Sequence, residues 1–213
     1  MSERIDYAVM TRMLLAVIEH IRREKDTLST LDAATGDGDH GAAMCKVADA
    51  IAQTINGRTD ENLSSLLSDI GWAVMGTDTG STGPLYGSLL VGMSGKAGGG
   101  EPLDGRGFAE MLEAGVANLR LNTKAQPGDK TMIDALAPAT EAIRAAADAR
   151  QSLAGILDAG ASAATRGAEA TRQMQAAHGR ARNIGDRAIG HLDPGAVSMS
   201  LVFAGLKEGF SNA

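Results

Sequence analysis

The sequence predicts an all-α protein, and two observations carry that prediction. Aromatic residues make up only 3% of 213 residues, against 44% hydrophobic residues overall. The core must therefore be built from Ala, Leu, Ile, Val and Met, which, Val and Ile apart, favour helix over strand. Apolar residues also recur at helical spacing along almost the whole chain, and no stretch shows the alternation of a half-buried strand. The length suits one domain with a sizeable core over 1–213, and neither a linker nor an internal repeat interrupts it.

The helices can be justified in order. Met10, Leu14, Val17, Ile18 and Ile21 share the first face, and Met44, Val47, Ala48, Ile51 and Ile55 share the second. Asp60 reads as the N-cap of a helix carrying Leu63, Leu66, Leu67, Ile70 and Val74. A short helix after Pro84 carries Leu85, Leu89 and Met93, and the next carries Phe108, Met111, Leu112, Val116 and Leu119. Met132 to Ala149 reads as helix with a kink at Pro138. Ser152 to Ala177 is Ala-rich and reads as one long helix. Asp193-Pro194 is a start signal, an N-cap acid followed by proline in the first turn, with Val197, Leu201 and Ala204 behind it. The total is about eight helices. Three glycine-rich breaks separate them: "TGDGDHG", "GTDTGSTGP" and "GMSGKAGGGEPLDGRG", the third reading as a flexible surface loop.

The formal net charge is −6 and no basic stripe is present, which argues against a nucleic-acid partner. The single cysteine, Cys45, cannot form an internal disulfide and reads as a small buried hydrophobe, in keeping with a reducing compartment. No apolar run reaches membrane-spanning length, and "MSERIDYAVM" lacks the layout of a signal peptide. A cytoplasmic protein with no membrane partner is the expectation.

The chemistry gathers in "LDAATGDGDHG". "GDGDHG" fits the glycine pattern of a phosphate-cradling loop, yet it carries Asp37 and Asp39, with Asp32 close before. Carboxylates in such a loop make sense when divalent cations sit between them and phosphates, because Mg²⁺ takes one or two carboxylates plus substrate phosphate oxygens. Gly36 and Gly38 then let alternate aspartates converge, and Gly41 opens a helix whose free N–H groups can face phosphate. The competing reading is a solvated acidic turn with an N-capping aspartate. Asp32 and the helix that follows favour the metal. A dinucleotide loop would need a better strand before it than "TLSTLDAAT". A Ca²⁺ loop starting at Asp37 would put Ala48 where glutamate belongs, and "GMSGKA" lacks the hydroxyl of a P-loop.

Three further clusters are ambiguous by themselves. Ser81 and Thr82 in "GSTGPLYG" suit either anion binding or an ordinary capped helix start. "KAQPGDKTMID" combines a Pro-Gly turn with Asp129, Lys130 and a capping Thr131. "GRARNIGDRAIGHLDPG" carries Arg180, Arg182, Arg187 and His191, which read either as surface charge or as a charge stabiliser for phosphoryl transfer. His40 and His191 suit a general base, or equally a hydrogen-bonding role.

Together "DAATGDGDHG", "GSTGPLYGSLL", "KAQPGDKTMIDAL" and "RNIGDRAIGHLDPGAVS" resemble the four signature blocks of the nucleotide-binding L subunit of dihydroxyacetone kinase (DhaL), in the family's order and across residues 32–198. The same unit forms the C-terminal domain of single-chain dihydroxyacetone kinases. The resemblance implies a closed barrel of eight antiparallel amphipathic helices with the nucleotide at one end. It also implies that Asp32, Asp37 and Asp39 bind two Mg²⁺ ions holding the phosphates of ADP or ATP. His40, Gly41, Ala42 and Ala43 fall near phosphate, as do Ser81 and Thr82. Thr123, where the family often has glycine, and Met132 map to nucleotide contacts. Arg180 maps to a catalytic, phosphate-side arginine, and Asp193, Pro194 and Gly195 to a final loop.

The resemblance further implies that a separate K subunit holds the ketone covalently through a histidine, so this chain alone should phosphorylate no sugar. The donor is either exchanging ATP or ADP rephosphorylated in place by a phosphotransferase-system protein. The acceptor is dihydroxyacetone or another short ketose such as erythrulose. A homodimer stays open. The rival class is a regulatory binding module that docks a transcription factor through its nucleotide pocket.

Overall fold

The computed structural model of the chain describes residues 4–98 and 101–212. Met1–Glu3, the pair Gly99–Gly100 and Ala213 lie outside, and with them the first residues read for a leader and the middle of the third glycine-rich break. Among the described residues nine α-helices follow one another: α1 (Tyr7–Arg23), α2 (Lys25–Ala33), α3 (His40–Asn56), α4 (Leu63–Met75), α5 (Thr82–Ser94), α6 (Gly105–Arg120), α7 (Ile133–Asp148), α8 (Leu153–Ala170) and α9 (Pro194–Ser211). No strand occurs among them; Ile5 and Leu103 form an isolated antiparallel bridge.

The apolar stripes dictate the packing. α1 buries Met10, Met13, Leu14, Val17, Ile18 and Ile21, and α6 buries Phe108, Met111, Leu112 and Leu119. Helices with such a dominant apolar face need neighbours on their flanks to cover it. Packing partners run α1–α3–α4–α5–α6–α7–α8–α9, and α9 returns to α1, closing a ring with α2 lodged against α3. Neighbours approach closely where side chains are small. A Cβ on Gly71 of α4 would lie 2.8 Å from the Gly87 carbonyl oxygen of α5, and one on Gly87 would lie 2.5 Å from that of Gly71. A small cavity of about 50 Å³ inside the ring touches Met10, Met44, Leu89, Met93 and Phe203 and has no polar surface.

Helix starts follow short polar side chains. Asp6, Asn62, Asp104, Ser152 and Asp193 each accept a first-turn N–H, at 2.6–3.2 Å. That each such bond contributes about 1 kcal/mol explains why these residues mark the boundaries.

The structure corrects several element boundaries. α2 is the helix the periodicity misses, because only Leu28 of its nine residues is buried and no stripe is visible. Asn62 caps α4 in place of Asp60, which instead pairs with Arg58. α5 begins at Thr82, so Pro84 sits in its first turn, where a missing N–H is harmless. α7 continues through Pro138. The proline leaves the Asp134 carbonyl without its helical donor, and Gly167 of α8 packs there, so close that an added Cβ would lie 2.1 Å from that oxygen. α8 stops at Ala170, short of Ala177, and a 3-10 turn, Thr171–Gln173, follows. The carbonyls a longer helix would use are taken elsewhere: Lys130 Nζ donates to the Thr171 oxygen at 2.6 Å, and Gly190 N–H to that of Arg172 at 2.8 Å. On either side of Gly99–Gly100, Ala97 and Leu103 of the third glycine-rich break are buried.

Candidate functional site

A cavity of about 540 Å³ opens at the end of the ring where α3, α5, α7 and α9 begin. His40, Thr82, Ile133 and Pro194, the first residues of those four helices, all line it. α4, α6 and α8 run the opposite way, and the segments that leave them supply Thr79, Thr123 and Arg180 to the same walls. Four helix N-termini turned towards one space make it electropositive, because each carries roughly half a positive charge on its unpaired amides.

Against this field stand three carboxylates. Asp32 lies in the last turn of α2 and Asp37 and Asp39 in the loop to α3, and each offers an oxygen within 4.8 Å of the others. The glycines shape the loop. A Cβ on Gly36 would lie 2.5 Å from Asp32 Oδ1, and Gly38 adopts φ +79°, a left-handed conformation that glycine enters without strain. The His40 N–H donates to Asp32 Oδ2 at 3.2 Å. Arg180 Nη1 donates to Asp37 Oδ1 at 2.7 Å and lies 3.8 Å from Asp39 Oδ1. The acidic cluster thus attracts a cation from a segment 143 residues distant.

Behind the carboxylates Tyr86, Ser198 and Lys130 are buried, and His40 and Asp193 are half-buried. His40 Nε2 lies 2.9 Å from Ser198 Oγ, which lies 3.0 Å from the Tyr86 hydroxyl and donates to the Gly195 oxygen at 3.0 Å. Burial is the largest influence on His40 and lowers its pKa, against the pull of Asp32, Asp39 and the Pro194 carbonyl. Burial also raises the pKa of the Tyr86 phenol far above its ordinary value. Asp193 caps α9, and its own N–H donates to Thr171 Oγ1 at 2.9 Å. Burial pushes its carboxyl up to about 7, helped by Asp134 and Asp32 and opposed by the cap bond and Lys130. Lys130, 2% exposed and at φ +60°, donates to the Thr171 and His191 oxygens, and burial lowers its pKa.

The cavity gathers most of the residues singled out from the sequence: Asp32, Asp39 and His40; Ser81 and Thr82; Thr123 and Met132; Arg180; and Asp193, Pro194 and Gly195. Asp37 stands beside it through the carboxylate cluster. Gly41, Ala42 and Ala43 do not line it. Gly41 faces α2, where a Cβ would lie 2.1 Å from the Lys25 oxygen, and Ala43 is buried in the core. Tyr86, Lys130, Asp134, Thr171 and Ser198 are the structural partners that sequence reasoning did not assign to the site. A lysine just after Gly-Asp in a tight turn was the one visible signal among them.

Fold and site define an all-α protein whose helix N-termini frame a carboxylate-bearing pocket. The family described as "DAK2 domain" matches residues 34–208. The ADP-binding subunit DhaL of PEP-dependent dihydroxyacetone kinase 1 from Listeria innocua is 34% identical over 185 residues, 87% of each chain. The corresponding Escherichia coli subunit is 32% identical over 83% of this chain and 84% of its own. The crystal structure of the dihydroxyacetone kinase from C. freundii in complex with AMP-PNP and Mg²⁺ superposes with a TM-score of 0.75 at 28% identity, covering 98% of this chain and 35% of that one. The present chain therefore spans about a third of that kinase. It belongs to the DAK2 domain family. No helix of the described residues is long and apolar enough to cross a membrane.

Proposed function

We propose that this chain is the nucleotide-binding, phosphoryl-transferring subunit of a cytoplasmic dihydroxyacetone kinase, or of a kinase for a related short ketose, with 1–213 acting as one domain. The observation that carries this reading is the cavity into which four helix N-termini point while three carboxylates converge within 4.8 Å at its edge. An anion alone suits the helix ends and a cation alone suits the aspartates. A metal-bound phosphate chain suits both.

The donor set fits Mg²⁺, since hard carboxylate oxygens are what that ion selects and Arg180 already brings positive charge to two of the three groups. Asp32, Asp37 and Asp39 would hold two Mg²⁺ ions, which when bound neutralise the phosphates of ADP or ATP and orient them. Ser81 and Thr82 and the amide ends of α3 and α5 would receive phosphate oxygens. Thr123 and Met132 would bound the nucleoside, and Asp193, Pro194 and Gly195 the inner wall. Arg180, exposed and hinged next to Gly179, would stabilise charge on the transferring group. Such chemistry asks for positioning and electrostatics and for no covalent step on this chain. The acceptor hydroxyl would arrive on a K subunit that binds the ketone. The relatives matched over most of their length are named ADP-binding subunits of PEP-dependent kinases, which favours ADP rephosphorylated in place by a phosphotransferase-system protein over exchanging ATP.

The test is isothermal titration of the purified chain with ADP and ATP, each with and without Mg²⁺, after assaying the preparation for co-purified nucleotide. Mg²⁺-dependent binding supports the reading, and tightly retained ADP supports the in-place version. Absence of binding to either nucleotide overturns it.

A further inference from the structure

Tyr86 occupies an unusual position in the ring. It is 5% exposed and borders two spaces at once, the polar cavity at the helix N-termini and the apolar cavity in the interior. Its ring forms part of the partition between them. Its hydroxyl would be an unsatisfied donor in so buried a place, a penalty of about 1–3 kcal/mol, were it not for Ser198 Oγ at 3.0 Å.

Ser198 is 0% exposed and meets three partners. Ser198 Oγ lies 3.0 Å from the Gly195 carbonyl oxygen, one turn back in α9. The same oxygen lies 3.0 Å from the Tyr86 hydroxyl and 2.9 Å from His40 Nε2, and a hydroxyl with one donor and two acceptor sites can serve three neighbours at once. The hydroxyl is saturated, and the imidazole is tied to it through Nε2. The three side chains come from α5, α9 and α3, 112 and 158 positions apart in sequence. His40 is held at its other end too, because its main-chain N–H donates to Asp32 Oδ2.

We propose that Tyr86 and Ser198 are positioning residues that lock the His40 imidazole in one orientation and one tautomer on the inner wall of the nucleotide pocket. The proposal rests on the reading of that pocket as the nucleotide site. Neither residue needs to touch the nucleotide; both act through His40, which lines the cavity beside Asp32 and Asp39.

Two measurements test it. In the first, Mg-ADP is titrated into the wild type, Tyr86→Phe, Ser198→Ala, His40→Ala and the double variant Tyr86→Phe/His40→Ala, after circular dichroism has shown each to be folded. Tyr86→Phe keeps the ring in the partition and removes only the hydroxyl. Its expected cost is about fivefold in affinity, one neutral hydrogen bond, with Ser198→Ala similar, and less than twofold once His40 is absent. An equal loss in both backgrounds overturns the proposal, since Tyr86 then acts through packing alone; so does wild-type affinity in both single variants. In the second measurement, the ¹⁵N shifts of the His40 ring are recorded without nucleotide. A single tautomer in the wild type that averages in Tyr86→Phe and Ser198→Ala supports the lock; identical spectra in all three overturn it. This readout decides the matter even if the wild type fails to bind Mg-ADP, an outcome that would overturn the nucleotide reading instead.

Discussion

Lys130 Nζ lies 2.6 Å from the main-chain oxygen of His191, 61 residues further along the chain. The same ammonium donates to the Thr171 oxygen, also at 2.6 Å. One buried cation therefore ties both ends of the segment 171–191 to the loop that precedes α7. A methionine of similar shape offers no donor and leaves two carbonyls to find others. Lys130→Met is expected to lower the free energy of unfolding by about 2–5 kcal/mol, as urea denaturation would show, and to weaken Mg-ADP binding with it.

Asp37 tests the metal reading from the other side. Its bond to Arg180 joins two exposed side chains and contributes at most about 1 kcal/mol to stability. Asp37→Ala should therefore leave the melting temperature almost unchanged while abolishing Mg²⁺-dependent nucleotide binding. Calorimetric titration of the folded variant checks this, and retained Mg-ADP affinity would count against a metal bridge.

Gly41 links helix packing to the carboxylates. An added Cβ would lie 2.1 Å from the Lys25 oxygen and 2.4 Å from Ser29 Oγ, so α3 could not stay against α2. Asp32 belongs to α2, whereas Asp39 immediately precedes α3. Gly41→Ala is expected to cost about 1–3 kcal/mol in stability. It should also weaken Mn²⁺ binding, measured by electron paramagnetic resonance, by separating the two halves of the cluster.

Asp193 should make stability depend on pH in an uncommon direction. Burial holds its carboxyl at about 7 in the native state, whereas the unfolded chain releases that proton near pH 4. Between these values the native state binds more protons, so stability is greatest at the acid end and is lost as the pH rises through the window. Asp193→Asn keeps a capping oxygen but cannot ionise. From pH 4.5 to 7.5 in chelator, the wild type should lose up to roughly 3 kcal/mol relative to that variant. The loss shrinks to the extent that cavity water reaches the carboxylate. Urea unfolding at the two pH values measures it.

The apolar stripes of α1, α3, α4 and α6 were legible in sequence because each repeats its hydrophobic positions over several turns. α2 was hidden because one buried leucine makes no period. The end of α8 was hidden for a different reason: helix propensity favours continuing through "TRQMQAA", and what stops it is a lysine side chain arriving from 41 residues away. Asp32, Asp37 and Asp39 could be read because their chemistry lies within one loop. Tyr86 and Ser198 could not, since a tyrosine in one helix and a serine in another carry no mutual spacing. The place of Gly41 at a helix start could be read from the sequence, whereas the close contact with α2 that its missing side chain permits could not.

The pairing of α1 with α9 also bears on how the chain is made. The ribosome makes α1 before α9, so the stripe of Met13 and Val17 has to wait for all the intervening helices before Gly205 and Gly209 arrive to cover it. Until then the ring stands open with an unprotected apolar edge. Closing the ring is therefore a non-local step, and non-local pairing is the slow part of folding.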